Sequence, residues 1–340
     1  MRAVVLVGGQ GTRLRPLTLT TKKELLPLVD RTILDHTLDR LARHGVREAV
    51  MSSPYLEDTF RPVLEARDGS APAVRWVTET EALDTGGAIV SALGALDDEP
   101  CFALNGDILT DLDMTAMRAF HEDRGAAVTI ALQRVPDARA FGLVATEADG
   151  RVREFREKPQ DEVPGEINAG TYLLDPTVLR RWTPDRPISI EREIFPELIA
   201  AGEPVFGFVT ESYWIDLGTP DKYLQAHADL LAGRFRGLTY PTPWVHHEAQ
   251  VDPGAELVGA VCVGREARVA SGGRVEGSVL LPGSSVDTGA DVRASILGRG
   301  ARVGARARLD DVVVADGAEL PPGARLHAQR VAADGSTWHD

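Results

Sequence analysis

The sequence predicts an α/β protein: a mainly parallel sheet covered by helices, followed by a separate all-β solenoid. Three observations lead there. Residues 1 to about 230 alternate short aliphatic runs with amphipathic stretches, the first run empties into a glycine-rich turn, and beyond residue 250 aliphatic residues recur at intervals of six. At 340 residues the chain is longer than one domain usually runs, so two domains are expected.

The opening run, residues 3–7, is continuously apolar, as a parallel strand buried on both faces would be. Residues 33–44 put Ile33, Leu34, Leu38 and Leu41 on one helical face, and Gly45 stops that helix before a strand at 46–51. A helix at 56–66, a strand at 74–78, a helix at 87–96 and a strand at 101–104 continue the alternation. That order argues for a doubly wound sheet with ligands at the carboxyl ends of its strands. The runs at 128–132, 142–145 and 167–174 are richer in strands and turns, and a substrate half is expected there.

Residues 238–243, LTYPTP, read as a linker. After it, Val251, Leu257, Val263, Val269, Val275 and Leu281 are evenly spaced, and the pattern continues after one-residue slips through Val286, Val292, Leu297, Val303, Leu309, Val314, Leu320 and Leu326. A period of six cannot be a helix stripe. It fits a solenoid whose short strands each send one side chain inward, with about four to five coils. The expected boundaries are residues 1–235, a linker at 236–249, the solenoid at 250–330 and a tail at 331–340.

The glycine-rich turn is chemically the most informative segment. Gly8, Gly9 and Gly11 allow backbone N–H groups to approach a polyphosphate, and Arg13 adds a cationic fork. Arg2, Arg13, Arg15, Lys22 and Lys23 all precede the first acidic residue, Glu24, in a chain whose formal net charge is -14. The local positive field therefore has a purpose of its own. A P-loop would need Gly-Lys-Ser/Thr where Gly11-Thr12-Arg13 stands, and a dinucleotide fingerprint would need a third glycine.

What remains, G-G-x-G-T-R-L-x-P-L-T with a lysine and then L-x-P, resembles the signature of the nucleotide-diphosphate-sugar pyrophosphorylases, the sugar-1-phosphate nucleotidyltransferases. The resemblance implies a Rossmann-like catalytic domain and, for the repeats, the left-handed parallel β-helix of hexapeptide-repeat proteins. It also implies a Mg²⁺-dependent reaction in which a nucleoside triphosphate and a sugar 1-phosphate give a nucleotide sugar and pyrophosphate. The sugar phosphate is itself the nucleophile, so charge neutralisation and in-line geometry matter more than a protein base.

Motif by motif, Asp107 in FALNGD and Asp216 in YWIDLGTPDKY fall where the family holds its metal. Asp111 and Asp113 read as loop and helix-cap residues. Arg13 and Lys23 would hold the triphosphate, Lys23 being favoured over Lys22 by its register to Leu25 and Pro27. Leu6, Gly8, Gly9, Gly11, Thr12 and Gly86 would complete the nucleotide site. Gly142 in FGLV, Glu157 and Lys158 in FREKP, and Asn168 and Thr171 in INAGTY would bind the sugar phosphate. The catalytic set implied is Arg13, Lys23, Asp107, Lys158 and Asp216.

The L-V-G-G form at residues 6–9 and SIEREIFP at 189–196 are similar to mannose-1-phosphate guanylyltransferases and favour GTP with mannose 1-phosphate or a close analogue. A heptose or cyclitol phosphate stays open, as does uridylyl or thymidylyl transfer to glucose 1-phosphate. One departure stands out: Asp84 occupies a position that is glycine in the family's base-binding stretch, and aspartate tolerates positive φ better than most residues.

Two other function classes fit the sequence less well. An acyltransferase would need a catalytic histidine in the coils, but His246, His247 and His327 lie at the ends of the repeats and read as surface or packing residues. A catalytically silent regulatory homologue is disfavoured by the intact charged set. The acidic balance argues against a nucleic-acid partner, and no run approaches the roughly 20 apolar residues of a membrane span. Cys101 and Cys262 suggest neither a disulfide framework nor a cysteine metal site. A cytoplasmic homo-oligomer is expected, with the solenoid serving assembly.

Overall fold

The computed structural model describes residues 1–53, 57–67, 69–79, 81–96 and 98–338. Packing divides the chain into two compact units, Met1–Gly8 with Leu34–Trp214, and Gly9–Ile33 with Ile215–Asp340.

The first unit is built on nine strands: β1 (Arg2–Leu6), β2 (Glu48–Ser53), β3 (Ala73–Thr78), β4 (Cys101–Asn105), β5 (Val128–Val135), β6 (Gly142–Thr146), β7 (Val152–Glu157), β8 (Gly165–Leu174) and β9 (Val205–Thr210). Their order is β7-β6-β8-β4-β1-β2-β3, with β5 on β8 and β9 on β5. The β4-β1-β2-β3 half is parallel throughout. β8 is antiparallel to β4, β5 and β6, while β9 returns parallel to β5. β1 lies at the centre, and Ala3, Val4 and Val5 are wholly buried, as its unbroken apolar run requires.

Helices α1 (Ile33–Arg43), α2 (Arg61–Ala66), α3 (Asp84–Leu93), α4 (Met114–Arg124) and α5 (Phe195–Ala200) accompany the sheet. In α1 the residues placed on one face, Leu34, Leu38 and Leu41, are wholly buried. The helix expected from residue 56 begins in a segment that lies outside the described residues; the described helix starts at Arg61. Asp113 does cap α4, its carboxylate accepting from Ala116 N–H at 2.9 Å. α3 starts earlier than expected, at Asp84, whose backbone takes the left-handed φ of 59°.

The solenoid in the second unit has three parallel ladders. One begins at Trp244–Val245 and passes through Cys262–Val263, Val279–Leu280 and Ile296–Leu297 to Val313 and Val314, while the others stack Gln250–Val251 and Glu256–Val258 with their successors. Ser295 N–H donates to Ser278 Oγ and Val312 N–H to Ser295 Oγ across 17 residues each, the length of these coils. This refines the sequence period. The first coil is 18 residues long and the later ones take one step of five residues and two of six, so the inward residue is Leu280 and not Leu281. Val263, Val269, Val275, Leu280, Val286, Val292, Leu297, Val303, Leu309 and Val314 form one continuous core. The ladder extends to Val331, where Thr337–Trp338 pairs antiparallel with Arg325–Val331 and covers its last edge.

Candidate active site

The predicted residues fall into two groups, one in each unit. In the second unit, Gly11 takes φ 61° and accepts through its carbonyl from Leu14 N–H at 3.0 Å and from Thr18 Oγ1 at 2.6 Å, which closes the glycine turn onto a short 3-10 turn at Thr12–Leu14. Lys23 starts another such turn, Lys23–Leu25, and its ammonium lies over Gly9, where an added methyl would sit 2.9 Å from Nζ. A three-residue turn after an extended Lys22 aims Lys23 back at the glycines.

Asp216 is the anionic centre of this group. Arg13 Nη2 stands 3.9 Å and Lys222 Nζ 3.8 Å from its Oδ2. Gly218 makes that approach possible: a methyl there would lie 2.6 Å from Arg13 Nη2 and 3.0 Å from Asp216 Oδ1. Beyond it, Thr219 caps α6 (Pro220–Leu231) with its hydroxyl and Pro220 takes the first helical position. The D-x-G-T motif therefore does three jobs in sequence: carboxylate, close approach, cap. Lys222 was missed by the sequence reading, although it lies in the quoted YWIDLGTPDKY; its helical position on α6 brings it back to Asp216.

In the first unit, Leu6 pairs with Asn105 at the carboxyl ends of β1 and β4, and Gly106 N–H donates to Leu6 O at 2.9 Å. This puts half-buried Asp107 just past the strand ends, beyond the same edge that β1 leaves toward Gly8. Its carboxylate is a hard oxygen donor suited to a divalent cation, as is that of Asp216. Buried Glu79 links two other parts of this edge, accepting from Ser52 Oγ at 2.9 Å and Leu83 N–H at 3.1 Å.

The sugar-side residues form a connected network. Gly142 is in register with Glu157 across β6 and β7. Lys158 adopts φ 49°, its N–H donating to Phe141 O at 2.9 Å, and its ammonium is 3.8 Å from Glu157 Oε1. The N-A-G element is a bulge: the β8–β5 register shifts between Asn168 and Tyr172, and Gly170 sits at φ 66°. Only glycine suits that place, since a methyl would lie 2.8 Å from Asn105 Nδ2. Asn168 then accepts from Gly170 N–H at 2.9 Å and donates to Tyr172 OH at 2.8 Å.

Tyr172 donates in turn to Glu191 Oε1 at 3.3 Å, while Thr85 Oγ1 and Ser189 Oγ donate to Glu191 Oε2 at 2.7 and 3.1 Å. Glu191 is thus the hub that sequence reasoning did not identify, having used SIEREIFP only as a marker of base choice. Burial raises the Glu157 carboxyl above its ordinary range, and the nearby Glu191 charge adds to the rise. Burial likewise pushes the Tyr172 hydroxyl well up, keeping it neutral. Two predicted contacts lie deeper than a ligand-facing position would suggest. Gly86 is buried with its N–H on Ile188 O at 2.8 Å, and Thr171 is buried in β8 opposite Leu104. The histidines at the solenoid ends face outward: His246 stacks on His247, and His327 pairs with Asp310 at 3.2 Å.

A Rossmann-type sheet with a basic glycine turn and a carboxylate past its central strands is the architecture of a nucleotidyl transferase, and comparison agrees. Residues 2–233 match the Nucleotidyl transferase family and residues 239–333 the GMPPB C-terminal domain, so the chain belongs to the nucleotidyl transferase family. A Mycobacterium tuberculosis protein named mannose-1-phosphate guanylyltransferase is 41% identical over 84% of this chain and 81% of its own length. An Arabidopsis thaliana protein named probable mannose-1-phosphate guanylyltransferase 2 is 35% identical over 86% of the chain and 83% of its own. Among solved structures, HddC from Yersinia pseudotuberculosis complexed with GMP-PN is 27% identical with a TM-score of 0.58, covering 66% of this chain and 97% of that one. Among the described residues no helix is long and apolar enough to cross a membrane.

Proposed function

We propose that the protein transfers a guanylyl group from GTP to mannose 1-phosphate or a close analogue, releasing pyrophosphate. The observation that carries this reading is the cationic group around Asp216, with Arg13 and Lys222 within 4.0 Å of one carboxylate and Lys23 over the glycine turn. The names of the relatives supply base and sugar.

In this reading a phosphate oxygen of the sugar phosphate attacks the α-phosphorus of GTP, and the bond from that phosphorus to the bridging oxygen of pyrophosphate breaks. Arg13 and Lys23 stabilise the charge that gathers on the leaving group, and Lys222 helps keep the Asp216 carboxylate in place. Leu6, Gly8, Gly9, Gly11 and Thr12 form the nucleotide side, with buried Gly86 supporting it from behind. Lys158 neutralises the sugar phosphate, while Gly142, Glu157, Asn168 and Thr171 build the sugar side, oriented through Tyr172 and Glu191. Asp107 and Asp216 would hold Mg²⁺, which when bound screens the phosphate oxygens from the incoming anion. The reading extends to a cytoplasmic enzyme, where GTP is available, and to a homo-oligomer formed through the solenoid.

Pyrophosphate release in Mg²⁺ across a matrix of nucleoside triphosphates and sugar 1-phosphates tests it. GTP with mannose 1-phosphate is expected to be the best pair, and Asp107→Ala to abolish turnover in a folded protein. Release only from UTP or dTTP with glucose 1-phosphate would overturn the base assignment. Release from GTP only with a heptose or cyclitol phosphate would redirect the sugar assignment, and none with any pair would favour a regulatory homologue.

A further inference from the structure

The segment Gly9–Ile33 falls in one compact unit with α6 and the solenoid, and besides its buried leucines, side-chain hydrogen bonds flank its lysines. Thr20 Oγ1 donates to Asp316 Oδ2 at 2.6 Å, across 296 residues of sequence. The other oxygen, Asp316 Oδ1, accepts from Arg299 N–H of the preceding coil at 2.7 Å, and Gly317 N–H donates to Arg299 O at 2.8 Å. The carboxylate is therefore oriented by the solenoid backbone and presents its remaining oxygen to the loop. On the other side of the lysines, the buried Tyr223 hydroxyl donates to Pro27 O, and Tyr240 OH donates to Asp30 Oδ1 at 2.7 Å.

We propose that the solenoid braces the phosphate-binding loop, with Asp316 as a positioning residue that acts through Thr20. Lys22 and Lys23 lie between the ties at Thr20 and Pro27. Two residues before Thr20, the Thr18 hydroxyl holds the Gly11 carbonyl at 2.6 Å, so the same tie steadies the glycine turn over which Lys23 reaches. The three ties reach the loop from a coil turn, from α6 and from the linker, which share no local sequence with it. This goes beyond an assembly role for the solenoid and rests on the proposed function only in taking Lys23 and the glycine turn as the triphosphate-binding elements.

The test compares Thr20→Val, Thr20→Ser, Asp316→Ala and the Thr20→Val/Asp316→Ala double variant in the full-length protein. Thr20→Val leaves the coil untouched and removes only the donor, so it separates bracing from solenoid folding. It is expected to raise KM for GTP with kcat/KM falling roughly threefold, the scale of one solvent-exposed hydrogen bond. Thr20→Ser should restore wild-type values, and the double variant should lose no more than the worse single one. Hydrogen exchange supplies a readout that does not depend on turnover: amides of residues 9–27 should exchange faster in Thr20→Val while those of 244–331 do not change. Thr20→Val that matches wild type in both kinetics and exchange would overturn the brace, as would Thr20→Ser behaving like Thr20→Val. Should the wild type release no pyrophosphate with any nucleotide, the guanylyltransferase reading fails, and faster exchange confined to 9–27 would still establish the brace.

Discussion

Gly218→Ala is the sharpest perturbation the geometry offers, because it is expected to damage the reaction without damaging the fold. Gly218 is absent from the positive-φ positions, so alanine meets no backbone penalty there. The three nearest atoms it would meet belong to side chains: Arg13 Nη2 at 2.6 Å, Asp216 Oδ1 at 3.0 Å and Arg13 Cζ at 3.1 Å. An ordinary contact is about 3.4–4 Å, so the guanidinium must retreat by roughly 1 Å. Arg13 is 67% exposed and can swing away, and a pair so exposed contributes at most about 0.5 kcal/mol to folding. Misplacing a transition-state cation by that distance costs up to about 100-fold in rate. Steady-state pyrophosphate release should therefore show kcat/KM for GTP reduced about 30- to 100-fold, with a melting temperature within about 2 °C of wild type. In an Arg13→Ala background the same substitution should have a smaller further effect, since only the few tenths of an ångström asked of Asp216 Oδ1 remain. A normal kcat/KM, or equal losses in both backgrounds, would refute the claim that Gly218 acts by admitting Arg13.

Glu157→Gln should change the pH dependence of stability in a defined direction. Because burial raises the folded carboxyl above its ordinary 4.5, the native state holds the proton more tightly than the unfolded chain, and wild-type stability is lost as pH rises from 4.5 through that raised value. Thermal melts should show the variant level with wild type near pH 4 and more stable near pH 7, while KM for the sugar phosphate rises. Tyr172→Phe removes the acceptor for Asn168 Nδ2 and the donor to Glu191, at a cost of about 1–2 kcal/mol. Its kinetic signature should be a raised KM for the sugar phosphate with KM for GTP unchanged. Val292→Ala, at a wholly buried solenoid position, should cost about 2–3 kcal/mol in denaturant unfolding, and a smaller loss would mean the coils relax around the cavity.

How far the sequence carried depended on the range of the interaction being read. Local chemistry was legible: the glycine turn, the capping Asp113 and the aliphatic period each follow from a few neighbouring residues. Even there the period misplaced one inward residue, because a coil of unequal steps does not keep strict sixes, and Leu280 rather than Leu281 faces the core. The N-A-G motif stands in the sequence, but the bulge it forms depends on the pairing of β8 with β5. Interactions between distant residues had no sequence signal of their own. Glu191 gathers Thr85 and Tyr172, and Asp216 faces both Arg13 and Lys222, because the fold brings those side chains together.

The glycine-rich loop shows most clearly what this costs a sequence reading. Its position in the chain, directly after β1, assigns it to the nucleotide-binding domain, yet its packing assigns it to the unit that contains the solenoid. Both assignments can hold: Leu14, Leu17, Leu25, Leu26, Leu28 and Val29 of the segment are buried, whereas the glycines and lysines that would face a polyanion gain order before the ligand arrives from polar anchors. Tyr223, Tyr240 and Asp316 are such anchors, each making one hydrogen bond to a different part of the segment. Rigidity bought in this way lowers the ordering cost of binding GTP, so removing the solenoid should weaken nucleotide binding even in an enzyme whose every catalytic residue is intact.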